Sequence, residues 1–268
     1  MQKSVHLDAS RRIGVLILGR KRPGFDQEWN QIVCRRSLAT LKGLGLTHIG
    51  ADSPVVDDAT LHAVMQQIHQ AQCEALVILQ PSIGNGQLAL SISQHWPNPV
   101  VLWATPERPE DGKVSSCSLV GQHLWASVLR QAGHPFEFVY GDGEETTVRA
   151  DLTRAITLCR TVGRLQQAKV GVIGNHVPGF IDLAADPFLL RRSIGIQLHP
   201  LSLPQYIDRV RAIPDDIVEN DVQHVRALGL RPVGVTDDAL DVNSRCYLAM
   251  LDVMQEGCRI TSASHCAW

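Results

Sequence analysis

The sequence contains no apolar run approaching the ~20 residues that span a bilayer, so nothing in it reads as a membrane helix. Its first residues, MQKSVHLDASRR, have no apolar core, which excludes a secretory signal there and leaves residues 1–11 as a loose leader. A strong charge of either sign is also missing. Net charge is −2 and the isoelectric point is near 6.6. Basic residues are scattered apart from Arg11, Arg12, Arg20, Lys21 and Arg22, so nucleic acid and anionic membranes are excluded as main partners. The seven cysteines include no C-x-x-C pair and recur within apolar stretches, where the residue acts as a small hydrophobe. That usage fits the reducing cytoplasm.

Chemical signatures are missing as well. No H-x-H, H-E-x-x-H or Cys/His zinc spacing occurs among the eleven histidines. There is no G-x-S-x-G elbow and no G-x-G-x-x-G or Walker sequence, so neither a serine hydrolase nor a dinucleotide site is indicated. No carboxylate has an acid or base partner evident beside it. Asp52 reads as a turn residue, and Asp215, Asp216, Asp237 and Asp238 read as helix starts, where acids favour the dipole. No long linker, low-complexity tract or short repeat interrupts the chain.

What is present is a 44% hydrophobic chain of 268 residues, enough for one large or two ordinary domains. Strand and helix patterns alternate throughout. RIGVLILG (12–19), THIGAD (47–52), EALVILQ (74–80), NPVVLWATPE (98–107) and FEFVYGD (136–142) are strand-like. Helical spacing lies between them: about Trp29 to Leu44, a helix capped by Asp57 or Asp58, Leu88 to Trp96, residues 119–132 ending at Gly133, and a helix from Val148. A fresh pattern begins at KVGVIG (169–174), with a helix near Ile181 to Arg191 and a strand GIQLHPLSL (195–203). Three helices follow, the last from Asp237 to about Glu256 with Gly257 as its cap, and then RITSAS as a further strand. Buried-type strands joined by helices imply parallel sheets covered on both faces. The expected fold class is therefore α/β, two consecutive doubly wound (flavodoxin/Rossmann-like) parallel-sheet domains, over 12–165 and 166–268.

In such sheets ligands bind beyond the carboxyl ends of the strands. The segments there are GRKRPGFD, QPSIGNG, TPERPEDG, GNHVPGF and HCAW. Arg20 stands directly after the first strand, and its guanidinium suits a carboxylate, phosphate, sulfonate or sugar hydroxyl. Gln80, Ser82 and Asn85 follow the third strand and suit a polyol, although Pro81 and Asn85 also serve simple turn chemistry. His62, His69, His199 and His224 read as bland, whereas His176 and His265 follow strands.

Three segments, IGVLILGRKRPGFD, NPVVLWATPERPEDGKVSSCSLVGQHLWASVLRQAGHPFEFVYGD and KVGVIGNHVPGF, occur in an order that resembles the L-fucose isomerase-like proteins, relatives of the L-arabinose isomerases. The resemblance covers about residues 12–268 in pattern and is carried most by Trp103, Ala104, Ser118, Gly121 and Gly133. It implies an aldose–ketose isomerase that works through an ene-diol, in a trimer or hexamer. It also implies a manganese ion, Mn(2+), held by a Glu, an Asp and a His that lie beyond this chain, so that no catalytic or metal residue is expected within it. Substrate contacts carried over are Arg20, Gln80, Ser82, Asn85, His265 and Trp268. The alternatives are a stand-alone sugar- or anion-binding module, or an assembly scaffold. ITSASHCAW then reads as a cut at the edge of an active site, with Trp268 exposed.

Overall fold

A computed structural model describes residues 11–20, 25–52, 54–109, 114–175, 178–180, 182, 184–229 and 233–259, the last three as backbone only. The chain divides into two compact units at Arg164/Leu165.

In the first unit five parallel strands form one sheet: β1 (Arg12–Ile17), β2 (Thr47–Ile49), β3 (Leu76–Leu79), β4 (Val100–Ala104) and β5 (Phe136–Tyr140), in the order β2-β1-β3-β4-β5. Five helices connect and cover them: α1 (Gln27–Gly43), α2 (Asp58–Gln70), α3 (Gln87–His95), α4 (Ser118–Gln131) and α5 (Thr146–Gln167). Because successive strand residues point to opposite faces, the apolar runs feed two separate cores. Leu16, Leu76, Ile78, Val100 and Leu102 pack with Ile68, Ile92 and Trp125 of α2, α3 and α4. Ile13, Val15, Val77, Val101 and Trp103 pack with Leu41 of α1 and Leu152 and Ile156 of α5. The sheet is thus wound on both sides, as the uninterrupted apolar strands implied. Its order reverses direction between β1 and β3, and the crevice at such a reversal is where open α/β sheets hold ligands.

Local chemistry sets the ends of these elements. Asp57 caps α2 in a capping box with Thr60, their side chains reciprocally satisfying the first turn. α4 gives way to Gly133 at φ +69°, a left-handed position suited to glycine. At Gly14 a Cβ would stand 2.8 Å from Ile68, so the missing side chain lets α2 settle onto β1.

The second unit holds a two-stranded parallel sheet, β6 (Lys169–Ile173) with β7 (Gln197–Leu201), and helices α6 (Pro187–Ser193), α7 (Leu203–Ala212), α8 (Asp215–Ala227) and α9 (Asp237–Arg259). α6 begins later than the apolar pattern suggested, because the Asp186 carboxylate accepts from the Phe188 and Leu189 amides and sets the cap there. Gly257 does not end the last helix, which continues through it to Arg259. Arg259 therefore belongs to α9 and not to a strand, and the rest of RITSAS lies outside the described residues. So do His176, His265 and Trp268. No helix of the described residues is long and apolar enough to cross a membrane.

Candidate functional site

A cleft of about 700 Å³ opens at the β1/β3 crevice. One wall is the end of β1 and its continuation, Ile17 to Arg20; another is the start of the β3 loop at Pro81 and Ser82; Ala51 and Pro54 close a third side. The chain after β2 is held against β1 by backbone bonds from Val55 N–H to the Ile17 carbonyl and from Gly19 N–H to the Val55 carbonyl, both 2.8 Å. A Cβ at Gly19 would meet Pro54 at 2.8 Å, so glycine at that position lets the two segments pass before Arg20 turns out.

The fourth wall is α1, through Gln27, Asn30, Gln31, Cys34, Arg35 and Leu38. These fall at i, i+3, i+4, i+7, i+8 and i+11, a single helical stripe. The helix buries a different stripe, Val33, Ser37, Thr40 and Leu41, in the molecule. The cleft stripe is polar over its first two turns, which is what a helix facing a wet crevice requires.

Among the described lining residues the polar groups are amides, one hydroxyl, one thiol and two guanidiniums, with no Asp, Glu, His or Lys. Arg20 and Arg35 are exposed, and neither has an ion-pair or hydrogen-bond partner among the described residues. Ser82 is only 6% exposed, yet its hydroxyl has no hydrogen-bond partner. The Asn30 side-chain oxygen is likewise buried and unpartnered. Buried polar atoms normally find partners, so these two, on residues that line the cleft, are acceptors or donors that water or a ligand entering the crevice could satisfy. Burial pushes the Cys34 thiol up to about 11, which keeps it protonated at neutral pH.

Of the residues read from sequence, Arg20 and Ser82 meet in this cleft and the other two described ones do not line it. Gln80 is fully buried. Its side-chain oxygen accepts from Gly84 N–H at 2.9 Å, and its amide donates to Gln122 at 3.3 Å. Gln122 in turn donates to the carbonyls of Ile78 and Trp103 at 2.6 and 3.0 Å, joining β3 to β4. Gln80 thus shapes the β3 loop from within. Asn85 is exposed, and its side chain accepts from Gln87 N–H at 3.0 Å as α3 begins.

Sequence reasoning missed Gln27, Asn30, Gln31 and Arg35; their one available signal was the polar stripe on a helix whose neighbouring stripe is apolar. It also missed a carboxylate that orders the loops. Glu107 accepts five hydrogen bonds, from the amides of Ser115, Ser116 and Cys117 and the hydroxyls of Ser115 and Ser116, at 2.6–3.1 Å. Burial alone would raise its pKa, but these bonds outweigh it and hold the carboxyl below its ordinary value. The segment it fixes reaches both cleft walls: the Ser115 carbonyl accepts from Asp26 N–H at 2.8 Å and the Ser116 carbonyl from Ile83 N–H at 2.9 Å. Asp26 caps α1 through Trp29 N–H and binds Arg108 at 2.9 Å, and both contacts lower its pKa.

No family model matches the chain. It is 28% identical over 198 residues to the sulfoquinovose isomerases of Priestia aryabhattai and Priestia megaterium, covering 74% of this chain and 44% of each relative. It is 26% identical over 156 residues, 58% of this chain and 35% of the relative, to the sulfoquinovose isomerase of Alkalicoccus urumqiensis. The chain spans less than half the length of these curated relatives. Their name is that of a sugar isomerase, the class of activity the L-fucose isomerase resemblance implied.

Proposed function

We propose that this chain supplies the sugar-contacting N-terminal part of an aldose–ketose isomerase, with sulfoquinovose, the sugar named for its relatives, as the first candidate substrate. The observation that carries the reading is the cleft at the β1/β3 crevice, whose lining includes Ser82 and Asn30, each with an unpartnered polar atom, together with Gln27 and Gln31. Such a mixture of donors and acceptors matches a hydroxyl-rich ligand. In this reading Arg20, Ser82 and the α1 amides bind and orient the sugar, and the neighbouring Gln80–Gln122 bridge and the Glu107 latch hold their walls in place.

The proton transfer of an ene-diol mechanism is assigned elsewhere. The described lining residues include no Asp, Glu, His or Lys to act as a base, and burial holds the Cys34 thiol protonated at neutral pH. The manganese ion implied by the family resemblance polarises sugar oxygens when bound. The described residues offer no group of three or more His, Cys, Asp or Glu to hold it. Assembly as a trimer or hexamer in the cytoplasm, with the ion and the acid–base carboxylates contributed from outside this stretch, belongs to the same proposal.

A second reading, a stand-alone sugar- or anion-binding module, is favoured by one observation: every described residue lining the cleft belongs to the first unit. Calorimetric titration with sulfoquinovose in the absence of metal tests the shared premise, and absent binding overturns both readings. Adding the C-terminal region of a Priestia relative with manganese then separates them by NMR detection of ketose. Gain of conversion supports the isomerase part, and tight binding without conversion supports the module. Ketose formation by the 268-residue chain alone would overturn the assignment of proton transfer to residues outside it.

A further inference from the structure

We propose that Arg20 and Arg35 together form an anion seat in the cleft, and that its ligand is a sugar bearing a tetrahedral strong-acid oxyanion, a sulfonate or a phosphate monoester. The inference rests on the sugar reading of this cleft and adds to it the groups that select the substrate's charge.

Two arginines from different elements, one beyond β1 and one on α1, line a single cleft of about 700 Å³ with no carboxylate among its described lining residues. Neither is neutralised within the described part of the molecule. Arg36, the next residue in the chain, shows the contrast: it turns away, pairs with Asp142 at 3.6 Å and lies over the Trp29 ring. Uncompensated like charges facing one crevice repel each other, and a bound anion relieves that repulsion while forming charge-assisted hydrogen bonds. Three oxygens on a tetrahedral centre point in three directions out of any one plane, so guanidiniums approaching from two different elements can each engage their own oxygens, whereas a carboxylate presents its two oxygens in a single plane. The remaining lining atoms suit the rest of such a molecule. The orphaned hydroxyl of Ser82, nine-tenths buried, and the orphaned oxygen of Asn30 meet sugar hydroxyls. Gln27, Gln31 and Arg35, at i, i+4 and i+8, rise along α1 by ~1.5 Å per residue and set amide and cationic contacts on one continuous wall.

The test is titration calorimetry of the full chain at low salt with sulfoquinovose, glucose 6-phosphate, glucuronate, glucose and inorganic sulfate. The two tetrahedral sugar anions are expected to bind at least ~10-fold more tightly than glucose and more tightly than glucuronate, and less so as salt is raised. Arg20→Gln and Arg35→Gln should each weaken the two anionic sugars at least ~10-fold more than they weaken glucose, while Arg36→Gln leaves all ligands unchanged. Circular dichroism checks that each variant is folded. The pH dependence separates the two sources. Sulfonate affinity should be flat from pH 5.5 to 7.5, whereas phosphate affinity should rise as its second proton leaves near pH 6. Equal affinity for glucose and sulfoquinovose, or anion binding untouched by Arg35→Gln, overturns the seat. Arginine-dependent binding of sulfate with no binding of any sugar keeps the seat and overturns the sugar reading beneath it.

Discussion

At the scale of single residues, Ser82 and Glu107, one buried and one half-buried, show opposite treatments of a polar group withdrawn from water. The Ser82 hydroxyl has been taken from water without a protein partner, an arrangement that costs about 1–3 kcal/mol when nothing offsets it. Ser82→Ala is therefore expected to leave thermal stability equal or up to ~1 kcal/mol higher while weakening sugar binding several-fold. A fall in both together would assign Ser82 to the fold and not to the ligand. Glu107 is the reverse case, a carboxylate saturated by amide and hydroxyl donors. Because its pKa is lower in the folded protein than in the unfolded chain, its contribution is fully present above the unfolded value. It is lost as pH falls through the folded one. Melting temperature should decline on acidification from pH 6 to 3, and Asp26, shifted the same way, adds to the trend. Glu107→Gln turns an amide donor toward amide donors, so a loss of about 2 kcal/mol at pH 7 and a flatter acid profile are expected. An acid profile as steep as the parent's would remove Glu107 from the account.

At the scale of elements, β3, β4 and α4 meet through a close approach that glycine makes possible. A Cβ on Gly121 would stand 2.4 Å from the Gln80 side-chain oxygen and 3.2 Å from the Ile83 backbone. Gly121→Ala should displace the amide that braces the β3 loop and destabilise the chain by about 1–3 kcal/mol in urea, with the cleft distorted at Ser82. A neutral effect would mean that α4 shifts to make room. The same elements show what the sequence conveyed. Apolar runs such as LVIL and VVLWA located β3 and β4 because burial on both faces leaves no other composition workable. Arg20 was legible because it directly follows such a run. Gln80 looked equally exposed by position, but its partner Gln122 lies 42 residues on, and only the packed sheet brings the two amides together. The α1 wall was hidden for a related reason: Gln27, Asn30 and Gln31 read as ordinary surface until β2 and β3 place a crevice against them. Glu107 carried no signal, since its donors are backbone amides whose direction depends on how the loop closes.

At the scale of the whole chain, the two units differ in how much water their backbones exclude. In the first, every residue of β3 and β4 is buried, and the sheet is covered by helices on both faces. In the second, neither β6 nor β7 contains a buried residue. Val218 and Ala249 are its only fully buried apolar side chains among the described residues, while Phe188 is 76% and Leu189 55% exposed. Backbone hydrogen bonds open more readily where few apolar contacts must be broken, and a two-stranded sheet has no inner strand to protect. Hydrogen exchange followed by mass spectrometry should therefore find the amides of β3 and β4 among the slowest, with those of β6 and β7 exchanging ~100-fold faster or more, a difference of ~3 kcal/mol in opening free energy. Sulfoquinovose, if it occupies the cleft, should slow exchange in α1 and the β3 loop and leave β6 and β7 unchanged, because every described residue lining that cleft belongs to the first unit. Equal protection of the two sheets would show that apolar faces exposed here are covered in solution, and ligand-dependent protection confined to β6 and β7 would move the binding site out of the β1/β3 crevice.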